Sequence, residues 1–492
     1  MSQRKKLSRR HFMRLASVAA GGVIVAGCQP KVVEKVVKET VVVEGTPKVI
    51  EKMIKETVVV EGTPEVVEKV VTKVVTAAPA APETGVIRWA DWPDMVGTKE
   101  ATDQFEQENP GVKITFEPFG DSFDMKLMAQ CVAGTAPDLF SIYGQMFFAF
   151  AQKGQLLDLQ PYVDAHMTQE DINDFYSWHW PTSFIVPEVG ILTGMPWKVN
   201  VGCLIYSKDA FDEVNLAYPD KTWDHDMYAA ALQKLYKVGD GGKVVRWGGS
   251  IPLAAYDRYQ PRIFAFGGHV VDPNDRTRCL LGEKPAQEAL EWGRKMLWDD
   301  KVLLPSTEVD ALGGAAHLFT HFGLGLWEDA LNAIGDSVVP VVEENPDLVK
   351  FGVSLVPKGP ARRSALSWAD GRATYKDTKV RDLAWKFTHF LSRGIYQQMN
   401  VIEWQGQLSC RKSLLEPWLQ RWKPWMDKGV DMSIFPEAAL TGGCSTQEFF
   451  LKEQESQVVI QEALDKVFGV GGYPVTEFAG ACEKVNALHQ ES

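Results

Sequence analysis

The chain has 492 residues, 64 of them acidic against 52 Lys and Arg, for a formal net charge of −12. A surface of that sign excludes nucleic acid and anionic lipid headgroups as natural partners. The length suits a globular body of two or more lobes. Beyond the N-terminal segment no stretch reaches the run of about 18 apolar residues that a membrane-spanning helix needs.

The N-terminus carries the first motif. Ser8 is followed by Arg9, Arg10, Phe12, Met13 and Arg14, then by an apolar run ending in Val25-Ala26-Gly27-Cys28. The first part resembles a twin-arginine (Tat) export signal, S-R-R-x-F-x-K/R. The last four residues resemble a lipobox, with Cys28 as the lipidation site and the mature N-terminus. The apolar run is too short for a spanning helix of about 20 residues. Residues 1–27 are therefore read as a signal peptide. They hold six basic residues and no acid, so the mature chain keeps 46 basic against 64 acidic groups, a net −18. The expected location is the outer face of the cytoplasmic membrane, extracellular or periplasmic, with the membrane touched through the lipid anchor alone.

A repeat follows. KVVEKVVKETVVVEGTP at 31–47 returns as KVIEKMIKETVVVEGTP at 48–64, with a degenerate third copy from Glu65. Each copy is too short to bury a core. The segment 28–85 is expected to be a tether, reaching about 190 Å if fully extended at ~3.3 Å per residue. Its valine runs fit either paired strands or short amphipathic helices.

The body begins near Val86. VIRWADW (86–92) predicts a buried strand, and 98–109 a helix stopped by Asn109-Pro110-Gly111. VKITFEPF (112–119) alternates as a strand, 123–133 is helical up to Gly134, and 138–143 is a short buried strand. This βαβαβ start implies a mostly parallel sheet with helices on its faces. Ligands bind such sheets beyond the carboxyl ends of the strands, which is where Asp91, Trp92, Asp121 and Tyr143 fall. Asp138, at a strand start after Pro137, is read as a structural cap. Thr222 is expected to cap a helix carrying Trp223, with Asp224 and Asp226 in its first turn.

Several segments, in order, carry a resemblance. They are FEQENPGVKITFEPF (105–119), AGTAPDLFSIYG (133–144), FAQKGQLLDLQPYV (150–163), GMPWKVNVGCLIYSKDAFDEVNL (194–216) and KTWDHDMYAAALQKL (221–235). FGVSLVPKGPARRSALSWADGRATYK (351–376), AWKFTHFLS (384–392) and GQLSCRKSLL (406–415) continue the series. From about 86 to 470 the chain resembles the extracellular solute-binding proteins of carbohydrate ABC importers, in the maltose-binding-protein-like branch. Ser207 stands where that family usually has Asn. The resemblance implies an α/β, periplasmic-binding-protein-like type II fold, two α/β lobes with a ligand cleft at the hinge. Lobe one would take 86–199 plus 352–400, and lobe two 200–351 plus 401–492. It further implies a carbohydrate ligand (an oligosaccharide), permease subunits of the importer as partners, a monomer, and no cofactor.

A sugar shows hydroxyls at its rim and C–H groups on its faces, so its site needs planar polar side chains and aromatic rings. The loops expected at the cleft supply Asp91 and Trp92, Asp121 and Ser122, Tyr143 and Gln145, and Trp197 and Asn200. Further along they supply Trp327 and Glu328, then Trp368, Asp370 and Arg372, with Trp404 as a weaker addition. For each Trp the competing role is the core. Trp223 and Trp385 are expected in the core, as are Trp418, Trp422 and Trp425, which share one helix face.

Two other readings stay open. A glycosidase needs two carboxylates at a fixed separation, and Glu328-Asp329 is the tempting pair, but neighbours in a strand point opposite ways. No Gly-x-Ser-x-Gly, HExxH or P-loop motif is present, so no enzyme is expected. Alternatively the same fold takes a non-sugar solute such as a peptide, polyamine or glycerol phosphate. The six cysteines after Cys28 show no zinc-type spacing. Their pairing is open, and His317 and His321 lack a third ligand, so no metal is expected.

Overall fold

The computed structural model describes residues 53–60, 63–70, 84–93, 95–120, 122–441 and 443–490. The signal segment, Cys28 and Asp121 lie outside the described residues. The chain divides into two compact units, Met1–Ala81 and Pro82–Ser492. In the first, Met53–Val60 pairs antiparallel with Thr63–Val70, from Met53 opposite Val70 to Val60 opposite Thr63. Of the two forms open to the valine runs, these segments take the strand.

The larger unit is a two-lobed α/β fold built on two five-stranded sheets. The strands of these two sheets are β1 (Gly85–Asp91), β2 (Val112–Pro118), β3 (Leu139–Tyr143), β4 (Met195–Pro196), β5 (Gly202–Ser207), β6 (Lys237–Val238), β7 (Val244–Ser250), β8 (Leu324–Ala330), β9 (Phe351–Leu355) and β10 (Asp370–Thr374). The first sheet has the order β2-β1-β3-β10-β4, and the second β6-β7-β8-β5-β9. In the first, β2, β1 and β3 run parallel, and β10 is antiparallel to β3 and β4. In the second, β7 and β8 are parallel and the other pairs antiparallel.

Strand alternation divides each sheet's core in two. On β1, Ile87 and Trp89 face the helices Thr98–Glu108 and Arg381–Leu391, where Ala101, Phe105, Leu383 and Phe387 close the layer. Ala90 turns the other way, toward Leu127 of helix Phe123–Ala133 and Met146, Phe147 and Phe150 of helix Gly144–Gln152. Helix Phe123–Ala133 stops at Gly134, whose left-handed φ of 73° a side chain would strain. Asp138 has the structural role expected of it, accepting from the Arg88 amide at 2.8 Å and from the Thr378 hydroxyl at 2.5 Å.

The second sheet is covered on one face by helices His225–Leu235, Lys284–Arg294, Glu453–Leu464 and Glu477–Gln490. Its other face packs against Leu415–Met426 and Ile434–Thr441. Trp418, Trp422 and Trp425 are buried there as expected, and the first two donate their indole N–H to the Gly406 carbonyl at 2.9 Å. Ser207 caps helix Lys208–Glu213 by accepting from the Ala210 amide at 3.2 Å. The cap expected at Thr222 sits instead at Asp224, which accepts from the Met227 amide at 2.9 Å. Trp223 is buried just before that helix, and Thr222 bonds Asp220. Asp outranks Thr at an N-cap, so the helix starts one residue after Asp224 becomes available. A disulfide joins Cys279 to Cys482, which resolves part of the open pairing. Cys131, Cys203, Cys410 and Cys444 are free and buried.

Candidate ligand-binding cleft

The carboxyl ends of the first sheet bring four rings together. Trp92 follows β1 and is 38% exposed. Its ring meets Phe119, just past β2, at 5.5 Å and Phe123 at 4.6 Å. Phe119 and Phe123 stack at 4.2 Å, and Tyr143, at the end of β3, lies 6.3 Å from Phe123. Ser122, exposed between the two phenylalanines, holds a left-handed φ of 53°, which turns the chain sharply enough for them to stack. These rings are incompletely covered by protein and form an aromatic platform of the type that packs against sugar faces.

Polar groups border the platform. Burial, together with the carboxylates of Asp124, Asp370 and Asp257, pushes the Tyr143 hydroxyl up from its ordinary value. The Gly144 amide donates to the Ala369 carbonyl at 3.1 Å, which places Trp368 beside the end of β3. The Trp368 indole donates to Asp257 at 3.1 Å, and the Arg258 guanidinium lies over the Trp368 ring at 4.5 Å. Arg258 also donates to Asp329 at 2.9 Å, while Arg262 donates to Glu328 at 2.7 Å. Glu328, Asp329, Arg258, Arg262 and Trp368 share a cavity of about 30 Å³, enough for a water molecule. Gln145 and Tyr143 line a separate and larger cavity.

The structure thus places Trp92, Ser122 and Tyr143 at the aromatic platform, Gln145 in the larger cavity beside Tyr143, and Glu328 and Trp368 in the small cavity with Arg258 and Arg262. Asp370 is half-buried next to it, 3.9 Å from Lys198, and burial raises its carboxyl while lowering the lysine. Of the remaining expected site residues, Asp91, Arg372, Trp197, Trp327 and Asn200 are buried. Asp91 is fully buried and accepts from Arg372 at 2.8 Å, and Arg372, itself 2% exposed, also donates to the Tyr396 hydroxyl at 2.7 Å. The rings of Tyr396 and Trp197 cover that guanidinium at 4.7 and 4.8 Å, so Asp91, Arg372 and Trp197 form an internal ion pair with its aromatic wrapping. Trp327 is paired with Ile205 on β5 and shares its face with Cys203 and Ile205, buried to 6% exposure. Glu328 points to the opposite face, as strand alternation requires. Asn200 is buried and donates to the Asn332 side chain at 2.9 Å. Trp404 is 46% exposed on the helical segment Gln397–Trp404, and among the described residues no ring contact ties it to the platform.

Phe119, Phe123, Asp257 and Arg258 are the residues that sequence reasoning missed. Their signal was available: Phe119 and Phe123 bracket the loop after β2, and Asp257-Arg258 follow β7 beyond its carboxyl end. The strand-end rule applied to β7 points to them. Among the described residues, no group of three His, Cys, Asp or Glu side chains is placed to hold a metal ion.

Comparison with known proteins agrees with this architecture. The model of the bacterial extracellular solute-binding proteins matches residues 89–393. A Brucella abortus protein described as a binding protein is 26% identical over 298 residues, 60% of this chain and 67% of that one. An ABC substrate-binding protein of Listeria monocytogenes, solved with cycloalternan, superposes with a TM-score of 0.69 at 20% identity, covering 83% of this chain and 100% of that one. The UgpB protein of Mycobacterium tuberculosis, solved with glycerophosphocholine, gives 0.65 at 17% identity, covering 83% and 99%.

Proposed function

Since the chain belongs to the bacterial extracellular solute-binding proteins, we propose that it captures a carbohydrate, in particular an oligosaccharide, and delivers it to the permease subunits of an ABC importer. The observation that carries the sugar is the platform of Trp92, Phe119, Phe123 and Tyr143, with Trp368 and Asp257 beside it. Ring faces pack on the C–H faces of a pyranose, and the carboxylates accept from its hydroxyls. The cycloalternan bound by the Listeria protein is consistent with an oligosaccharide. Lobe one is read as 86–199 plus 352–400 and lobe two as 200–351 plus 401–492, closing on the ligand by a hinge motion.

A second reading rests on charge. Asp124, Asp257 and Asp370 all act on Tyr143, and carboxylates beside aromatic rings also suit a cationic solute, such as a choline ester or polyamine. Binding rather than catalysis is proposed, because Glu328 and Asp329 are each held by an arginine. Turnover of an oligosaccharide by the purified chain would contradict that.

Residues 1–27 are read as a Tat signal peptide and Cys28 as the lipidated N-terminus of a monomer held at the outer face of the cytoplasmic membrane. Mass spectrometry of the membrane-extracted protein tests this: a diacylated or triacylated Cys28 peptide is expected, and an unmodified one contradicts it. The ligand is tested by thermal unfolding of the mature chain against saccharides, polyols, polyamines and choline esters. A ligand at 100 times its Kd adds about 2.7 kcal/mol. A shift with saccharides supports the main reading, and a shift confined to amines supports the second.

A further inference from the structure

Next to the aromatic platform lies a second cavity, of about 580 Å³, with a different chemistry. Its walls are Met125, Met128, Ala129 and Val132 on helix Phe123–Ala133 and Met146, Ala149 and Phe150 on helix Gly144–Gln152. Helix Glu453–Leu464 closes it with Gln454 and Gln457. Met125 is 69% exposed and Val132 70%, so large apolar side chains stand uncovered along it. The volume falls within the range of small-molecule sites, about 300–1,000 Å³.

One side of this cavity is unsuited to a sugar, although Asp124, Lys153 and Glu453 also reach its lining. A pyranose needs a hydrogen-bond partner for most of its hydroxyls, and Met, Ala, Val and Phe side chains offer none. They suit an apolar group, and the three methionines can repack around one of variable shape. The cavity adjoins the platform, because Tyr143 belongs to both and Asp124, in its lining, follows the platform ring Phe123. A ligand seated on the rings has this cavity beside it, at Tyr143.

Resting on the carbohydrate reading above, we propose that the ligand is an amphiphilic glycoside. Its sugar stacks on Trp92, Phe119 and Phe123, and an aryl or short acyl group joined to it fills the Met-lined cavity. The link between the two passes Tyr143 and Gln145, whose polar atoms suit a glycosidic or ester oxygen.

The test uses the mature chain and two wall variants, Ala149→Trp, which fills the cavity, and Met128→Gln, which makes its wall polar. Calorimetry compares free oligosaccharides with their p-nitrophenyl glycosides, and N-phenyl-1-naphthylamine fluorescence probes the cavity without any sugar. The nitrophenyl glycoside is expected to bind about tenfold or more tightly than its parent sugar. That gain is expected to disappear in both variants while the Kd for the parent sugar stays unchanged. Naphthylamine fluorescence is expected to rise with wild type and with neither variant. Equal affinities within a pair, or a gain that survives both substitutions, would overturn the inference and leave the carbohydrate reading intact. Naphthylamine capture lost in both variants, with no saccharide or glycoside binding to wild type, would overturn the carbohydrate reading and the glycoside with it, leaving an apolar site alone. If Ala149→Trp fails to melt cooperatively, Met128→Gln carries the comparison.

Discussion

At the residue scale, Asp91 and Arg372 depend on each other, at 0% and 2% side-chain exposure. Removing one partner of such a pair leaves a buried charge uncompensated, at about 3–5 kcal/mol. Urea unfolding of Arg372→Met is expected to show a loss of that size, with Asp91→Leu/Arg372→Met recovering much of it; a loss under 1 kcal/mol (roughly a surface pair's value) would contradict the buried pair. A second residue has a pH signature. Burial pushes the Glu453 carboxyl up to about 8, against the opposing hydrogen bonds from Tyr256 and the Phe450 amide and the nearby charge of Arg276. Its folded value lies above its unfolded one, so its contribution is fully present below the ordinary Glu range and is lost as pH rises toward about 8. Melting temperature of Glu453→Gln relative to wild type should therefore improve steadily from pH 4.5 to 8, and a flat difference would contradict the assignment. These two acids also show what the sequence conceals. The place of Asp91 at a strand end was legible, but not its partner 281 positions later on β10. Trp92, one residue on, faces outward because strand alternation reverses there.

At the level of elements, the local pattern was informative where the chain makes its own contacts. The strands expected at 86–92 and 112–119 appear as Gly85–Asp91 and Val112–Pro118, and the helix at 123–133 appears with those bounds. Periodicity, a Pro-Gly stop and a terminal Gly determine these locally. Trp197 and Trp327, expected at the cleft, are buried at 4% and 6% exposure, because burial beside a sheet depends on pairing with distant strands, here β10 and β5. The same holds for the cysteines: Cys279 and Cys482 are 203 positions apart, and only the packing of helix Glu477–Gln490 on strand Asp275–Cys279 brings them together. Cys482→Ser is expected to destabilise by about 2–5 kcal/mol, read as a lower urea midpoint that reductant reproduces in wild type. A midpoint insensitive to reductant would contradict a formed bond.

At the scale of the whole molecule, function is proposed to reside in the approach of two lobes, and the contacts between their elements indicate what opposes opening. Arg276, on the hairpin strand Asp275–Cys279, donates to Glu188 at 3.0 Å and to the Phe449 carbonyl at 2.8 Å, and lies 3.8 Å over the Phe148 ring. Gln152 of helix Gly144–Gln152 donates to the Leu451 carbonyl at 2.8 Å. Small-angle scattering of ligand-free Arg276→Ala is expected to show a larger radius of gyration than wild type, and an unchanged radius would mean these contacts do not restrain the lobes. The order of motifs along the sequence made the two-lobed fold legible, whereas the composition of the cleft depends on which strand ends meet in space. The most direct measurement is calorimetric titration of a saccharide that stabilises the wild type into Trp92→Ala, whose ring is 38% exposed and outside the core clusters. The platform predicts that affinity falls at least about tenfold, the worth of a lost ring contact, while the ligand-free melting temperature stays within a few degrees. An affinity equal to that of wild type would place the sugar elsewhere and contradict the site.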